Sequence, residues 1–133
     1  REYGGDPKRV VLCGFSRGAI ACNYLGLYDD DIAKLWRAFI PYSHYDGVKR
    51  WPYPGSDRES ALVRLRRLEN RPQFICQEGS DVAATQNYLN GTGVKGQFAF
   101  QPTGFRNHND VWLLRPSTAR QEMRKWLEKS LKN

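Results

Sequence analysis

Four short apolar runs, each closed by glycine or polar residues and followed by a stretch with helical spacing, constrain this chain most. They are residues 8–13 (Lys-Arg-Val-Val-Leu-Cys), 36–42 (Trp-Arg-Ala-Phe-Ile-Pro-Tyr), 73–76 (Gln-Phe-Ile-Cys) and 97–101 (Gln-Phe-Ala-Phe-Gln). Runs this short and this rich in β-branched and aromatic residues read as buried strands. Between them, residues 17–27, 29–35, 58–71 and 82–89 carry helix patterning, and residues 117–131 form a last helix. Ser56 or Asp57 is placed to cap the second of the long helices, and Asn90-Gly91 to end the third. Strand and helix alternating in this way predict a parallel sheet with right-handed crossovers, about four strands with helices on both faces.

The 133 residues suffice for one domain, 1–133, with its own core. Residues 44–70, a proline- and aromatic-rich loop followed by a helix, are expected as a small cap-like insertion within it. No apolar run approaches the ~18 residues of a membrane span. The first residues have neither a signal-peptide nor a transit-peptide pattern. The odd count of cysteines, with Cys13 and Cys76 inside strand-like runs, reads as small buried residues, which favours a reducing, cytoplasmic setting over a disulfide framework. The net charge of +7 concentrates in residues 58–71 and 115–132, on the helix faces opposite the leucines. That is the pattern of a solvated face, and no nucleic-acid-binding module accompanies it.

In parallel sheets, ligands and catalytic groups gather beyond the carboxyl ends of the strands. The first strand is followed by Gly14-Phe15-Ser16-Arg17-Gly18, the third by Glu78-Gly79-Ser80-Asp81, and the fourth by Thr103-Gly104-Phe105-Arg106-Asn107-His108-Asn109-Asp110. A serine, a carboxylate and a histidine thus reach one edge in the order Ser, Asp, His. A serine hydroxyl is a weak nucleophile until an imidazole takes its proton, and the imidazole needs a carboxylate on its other nitrogen. The glycines flanking Ser16 permit a sharp turn, and the amide of Arg17, at the start of the next helix, is the natural donor to an oxyanion. Two readings of Asp81 stand side by side: orienting acid, with Glu78 as its substitute, or cap of the following helix. Asp110 reads as a residue that stabilises its own loop, and His44, after the second strand, as a solvated or hydrogen-bonded loop histidine. Phe15, Tyr42, Tyr45, Trp51 and Tyr53 are candidates for the walls of a substrate pocket, or for packing of the proline-rich loop.

These pieces resemble the C-terminal half of an α/β-hydrolase: "VVLCGFSRG" as strand and nucleophile elbow, "FICQEGSD" as acid strand and turn, "FRNHNDVW" as histidine loop. The resemblance implies Ser16 as nucleophile, His108 as general base and acid, and Asp81 as the orienting acid. It implies hydrolysis of small, short-acyl carboxylic esters through an acyl-enzyme, with no metal or organic cofactor. Members of that family have further strands before the nucleophile strand, and a loop among them supplies a second oxyanion amide. Only nine residues precede Val10, so the nucleophile strand is expected to be an open edge. A second copy pairing along that edge as a dimer, a fragment of a longer chain, and a reduced natural form are three accounts of it, of which self-pairing is the expectation. The rival activities are acyl transfer or thioester cleavage on the same triad, and a binding module that has lost catalysis.

Overall fold

The computed structural model describes residues 2–132. Strands β1 (Val11–Phe15), β2 (Ala38–Tyr42), β3 (Gln73–Gln77) and β4 (Phe98–Pro102) form one parallel sheet in the order β1-β2-β3-β4. The connecting helices are α1 (Arg17–Tyr24) and the single turn α2 (Asp30–Ala33), then α3 (Arg58–Arg66) and α4 (Ala83–Thr92). The last helix, α5 (Thr118–Leu131), follows β4 after a 3-10 turn at Val111–Leu113. The fold is a small three-layer α/β sandwich, as the strand-and-helix alternation predicts.

The side-chain alternation along each strand builds a core on either face. Phe39 and Ile75 point to one side, where Cys22 of α1, Ala33 of α2, Leu65 of α3 and Leu89 of α4 cover them. Ile40, Tyr42, Phe74 and Cys76 point to the other, against Trp112 and Ala119, with Met123, Trp126 and Leu127 of α5 packed around them. One sequential strand order with right-handed crossovers requires this division, since every crossover helix then falls on the same face. The stretch 44–70, expected as a small insertion, supplies the crossover from β2 to β3. Its Leu65 and Leu68 are buried in the main core. A buried ion pair holds the loop of this crossover to its helix: Arg64 donates to both oxygens of Asp46 (2.8 and 3.0 Å) and to the carbonyl of Gly55 (2.7 Å).

Several helix ends are written in the sequence. Asp57 accepts from the Ser60 amide (2.8 Å) and Ser117 from the Arg120 amide (3.2 Å), the side-chain caps of α3 and α5. The helix α4 runs past the expected Asn90-Gly91 stop and ends at Gly93, which takes the left-handed conformation (φ 67°).

Both β1 and β4 are edge strands. Cys22 and Cys76 are buried as expected, but Cys13 is exposed, because β1 has a neighbour on one side only. All three are free thiols, and burial pushes Cys22 up to about 12. Among the described residues no helix is long and apolar enough to cross a membrane.

Candidate active site

The turn between β1 and α1 is tight for a steric reason. A Cβ on Gly14 would lie 2.0 Å from the carbonyl oxygen of Gly18, so only glycine lets the first turn of α1 fold back over the strand. Gly18 has nothing within 4 Å of the same position. Of the two flanking glycines, the first is required by packing. Between them Ser16 sits at φ 57°, ψ −118°, a conformation that L residues rarely adopt. Its amide donates to the carbonyl of Tyr42 (3.0 Å), which ties the strained turn to the neighbouring strand.

His108 arrives from the long loop after β4. Its Nε2 lies 3.0 Å from Ser16 Oγ, and its Nδ1 lies 2.7 Å from Glu78 Oε1. The loop is anchored below by Phe15, whose ring stacks on Tyr42 (5.1 Å) and lies 4.8 Å from the His108 ring. From the side, the Tyr42 hydroxyl donates to the carbonyl of Asn109 (2.8 Å). The turn after β3 is bonded to this loop twice: the Gly79 amide to the Phe105 carbonyl (2.8 Å) and the Gly104 amide to the Gly79 carbonyl (2.9 Å). Both glycines have positive φ (83° and 77°), which side chains would disfavour there.

The carboxylate at His108 is therefore Glu78, and the expectation for Asp81 is corrected. Glu78 is the first residue past β3 and extends from the strand end. Asp81 lies three residues further on, exposed, and its Oδ1 accepts the Ala83 amide at the start of α4 (3.0 Å). Burial pushes the Glu78 carboxyl up, but hydrogen bonds from His108, from its own backbone amide and from Ser43, together with the His108 charge, outweigh that. They hold it below the usual glutamate value. Gln77 donates to the other oxygen, Oε2, at 3.0 Å.

Ser43, which the sequence does not single out, belongs to the same cluster: its Oγ lies 3.0 Å from Glu78 Oε1 and 3.0 Å from His108 Nδ1. It directly follows β2 at the edge where the other three groups lie. A serine in Pro-Tyr-Ser-His gives no motif by which to find it.

A cavity of about 500 Å³ opens beside Glu78, lined by His44, Tyr45, Val48, Trp51 and Val82 among others. Ser16 and His108 stand outside its lining, so it is a neighbouring pocket and not a cleft centred on the serine. Of the five pocket candidates, Tyr45 and Trp51 line it. Tyr45 is nevertheless buried, with its hydroxyl on Gln73 Oε1 (2.5 Å). Phe15 and Tyr42 instead brace the His108 loop, and Tyr53 packs edge-on against Tyr24 (5.5 Å), because their rings fill contacts that hold the loops. His44 stands at the cavity wall with its ring 5.6 Å from that of His108 and 5.5 Å from Trp51. Burial lowers its pKa, with the charges of His108 and Lys49 adding to the effect and that of Glu78 opposing it. The Arg17 side chain and Lys49 each lie over Trp51 (5.9 and 4.7 Å). The Arg17 amide is the first of α1, where no intrahelical acceptor exists.

A hydroxyl, an imidazole and a carboxylate in line can move a proton off the serine and stabilise the imidazolium that results. Among the described residues no group of His, Cys, Asp and Glu has the arrangement to hold a metal ion. No family model, no curated protein and no solved structure matches the chain.

Proposed function

We propose that this domain is a serine hydrolase of small carboxylic esters, resembling the C-terminal half of an α/β-hydrolase, with Ser16 as nucleophile, His108 as base and Glu78 as orienting acid. The observation that carries the reading is one continuous contact line, Ser16 Oγ to His108 Nε2 at 3.0 Å and His108 Nδ1 to Glu78 Oε1 at 2.7 Å, on a serine held at positive φ. Backbone strain of this kind costs about 1–3 kcal/mol and persists where it serves a site.

In the reaction, His108 Nε2 takes the proton of Ser16 as Oγ bonds to the ester carbonyl carbon. The Arg17 amide donates to the oxygen that becomes negative. His108 then returns the proton to the departing alcohol as the carbonyl re-forms and the ester C–O bond breaks, leaving acyl-Ser16. Water, deprotonated by the same nitrogen, releases the acid and restores Ser16. The acyl portion is short on this reading, since the flap around Trp51 is small and among the described residues no long lid adjoins the serine.

Intact mass after treatment with a fluorophosphonate, beside Ser16→Ala, is the direct test. One adduct that vanishes in the variant supports an activated serine; a folded wild type without an adduct refutes it. Acceptor alcohols and thioester substrates then separate hydrolysis from acyl transfer and thioester cleavage. The free β1 edge, with Val10 and Cys13 exposed, supports a second copy as partner. Solution mass above that of one chain is the expected result, and a clean monomer at micromolar concentration refutes it.

A further inference from the structure

The edge that carries Ser16, Glu78 and His108 holds one more hydroxyl that hydrolysis as written leaves without a task. Ser43 is 2% exposed, and its Oγ closes a triangle with Glu78 Oε1 (3.0 Å) and His108 Nδ1 (3.0 Å), the third side being the 2.7 Å contact between the latter two. Two hydrogens are available to the three sides, one on Ser43 and one on the imidazole. With the proton on Nδ1, both point at a single anionic oxygen, and the ring N–H also faces the Ser43 lone pairs. With the proton on Nε2, a bare nitrogen lone pair faces a carboxylate at 2.7 Å, and one hydroxyl must serve both. The triangle therefore selects the Nδ1–H tautomer. That tautomer leaves the Nε2 lone pair turned to Ser16.

The backbone supplies an independent observation. Ser43 has φ 85°, where glycine is at ease and serine is not. Among the described residues three that are not glycine have positive φ, Ser16, Ser43 and Glu69, and two of the three are in this cluster. The Ser43 amide donates to the Cys76 carbonyl (3.0 Å), so the strained residue is locked across to β3, one residue past the strand end. A glycine would satisfy that bond without strain. What serine adds is the hydroxyl.

We propose that Ser43 is a positioning residue: it holds the Glu78 carboxylate and fixes the tautomer of His108, so that four residues act as one unit. The kinetic consequence rests on the hydrolase reading; the tautomer does not.

The test uses two variants that remove the same hydroxyl and differ in strain. Ser43→Ala keeps the unfavourable φ, and Ser43→Gly relieves it. The imidazole ¹⁵N shifts of His108, identified by their loss in His108→Gln, read the tautomer directly. The expected result is an Nδ1–H ring in the wild type and a smaller Nδ1–H share in both variants, because the Glu78 carboxylate, held by one contact fewer, spends less time against the ring. On a short ester, kcat falls about 10–100-fold in both, the range for a lost hydrogen bond to a charged group, with KM nearly unchanged. Ser43→Gly is the more stable of the two in denaturant. A purely structural serine would predict the opposite pairing, with activity following stability and the glycine variant active. Unchanged His108 shifts in both variants, or wild-type kcat in Ser43→Gly, overturns the proposal. Should the wild type cleave no ester, the hydrolase reading fails and the ¹⁵N shifts still decide the role of Ser43.

Discussion

Replacing Glu78 by glutamine, and separately Asp81 by asparagine, distinguishes the two carboxylates by what each holds. Glu78 Oε1 is 2.7 Å from His108 Nδ1, with the Glu78 side chain 19% exposed and His108 48% exposed. The attraction between an imidazolium and a carboxylate at that range is about 6 kcal/mol at an effective dielectric constant near 20. Water at the open face of His108 screens part of it, which leaves roughly 3–4 kcal/mol lost when the amide replaces the acid. Glutamine also offers an N–H to Nδ1 and so favours the wrong tautomer. The expected loss in kcat for Glu78→Gln is therefore about 10³-fold. Asp81→Asn keeps an acceptor for the Ala83 amide and stays within about threefold of the wild type. Asp81→Ala costs about 1 kcal/mol of stability through the lost hydrogen bond to the Ala83 amide and leaves turnover similar. Steady-state hydrolysis of p-nitrophenyl acetate, paired with urea unfolding of each variant, reads both quantities. A Glu78→Gln variant within tenfold of the wild type, or an Asp81→Asn variant that loses as much as it does, refutes the reasoning.

Gly14→Ala is expected to lose several kcal/mol or fail to fold, because its Cβ would meet backbone at 2.0 Å, whereas Gly18→Ala gains about 0.4–1 kcal/mol in thermal unfolding. Arg64→Met strands the buried Asp46 carboxylate and is expected to cost about 3–5 kcal/mol in urea, with the His44–Trp51 loop the first to show increased amide exchange. Glu78 is held below its usual value in the folded state, so its contribution to stability is complete above the ordinary glutamate range and is lost as pH falls through the depressed value. The stability gap between wild type and Glu78→Gln therefore narrows on acidification, which unfolding curves at a series of pH values will show. Cys13 is expected to react with a maleimide in the native protein while Cys22 and Cys76 do not, and its labelling slows as protein concentration rises if copies meet along β1.

The architecture was legible because each apolar run is bounded by turn residues and no two are close enough for a hairpin. Ser16 and His108 were legible for the same reason: a strand end is a place, and Ser16 directly follows one while His108 lies in the loop that leaves another. The acid was not. Glu78 and Asp81 lie in one four-residue turn, and what separates them is the path of the backbone through Gly79, which composition does not encode. The run Ser-Asp-Val-Ala-Ala, which leads into α4, carries a helix-start signal, and it belonged to Asp81. Cys13 looked buried because periodicity reports that a residue lies on a strand without reporting whether the strand has a neighbour. Ser43 was invisible, since its place depends on a positive φ and on two partners 35 and 65 residues away.

The bond between Ser16 and His108 joins residues 92 positions apart. The serine leaves the ribosome 92 residues ahead of its base, which follows all four strands. Before residue 108 is in place the serine has no partner to activate it, whatever the state of its own turn. Contacts of such separation form late in folding. On the proposed reading, turnover is then a reporter of the finished sheet, and a chain without residue 108 in place is expected to be inactive.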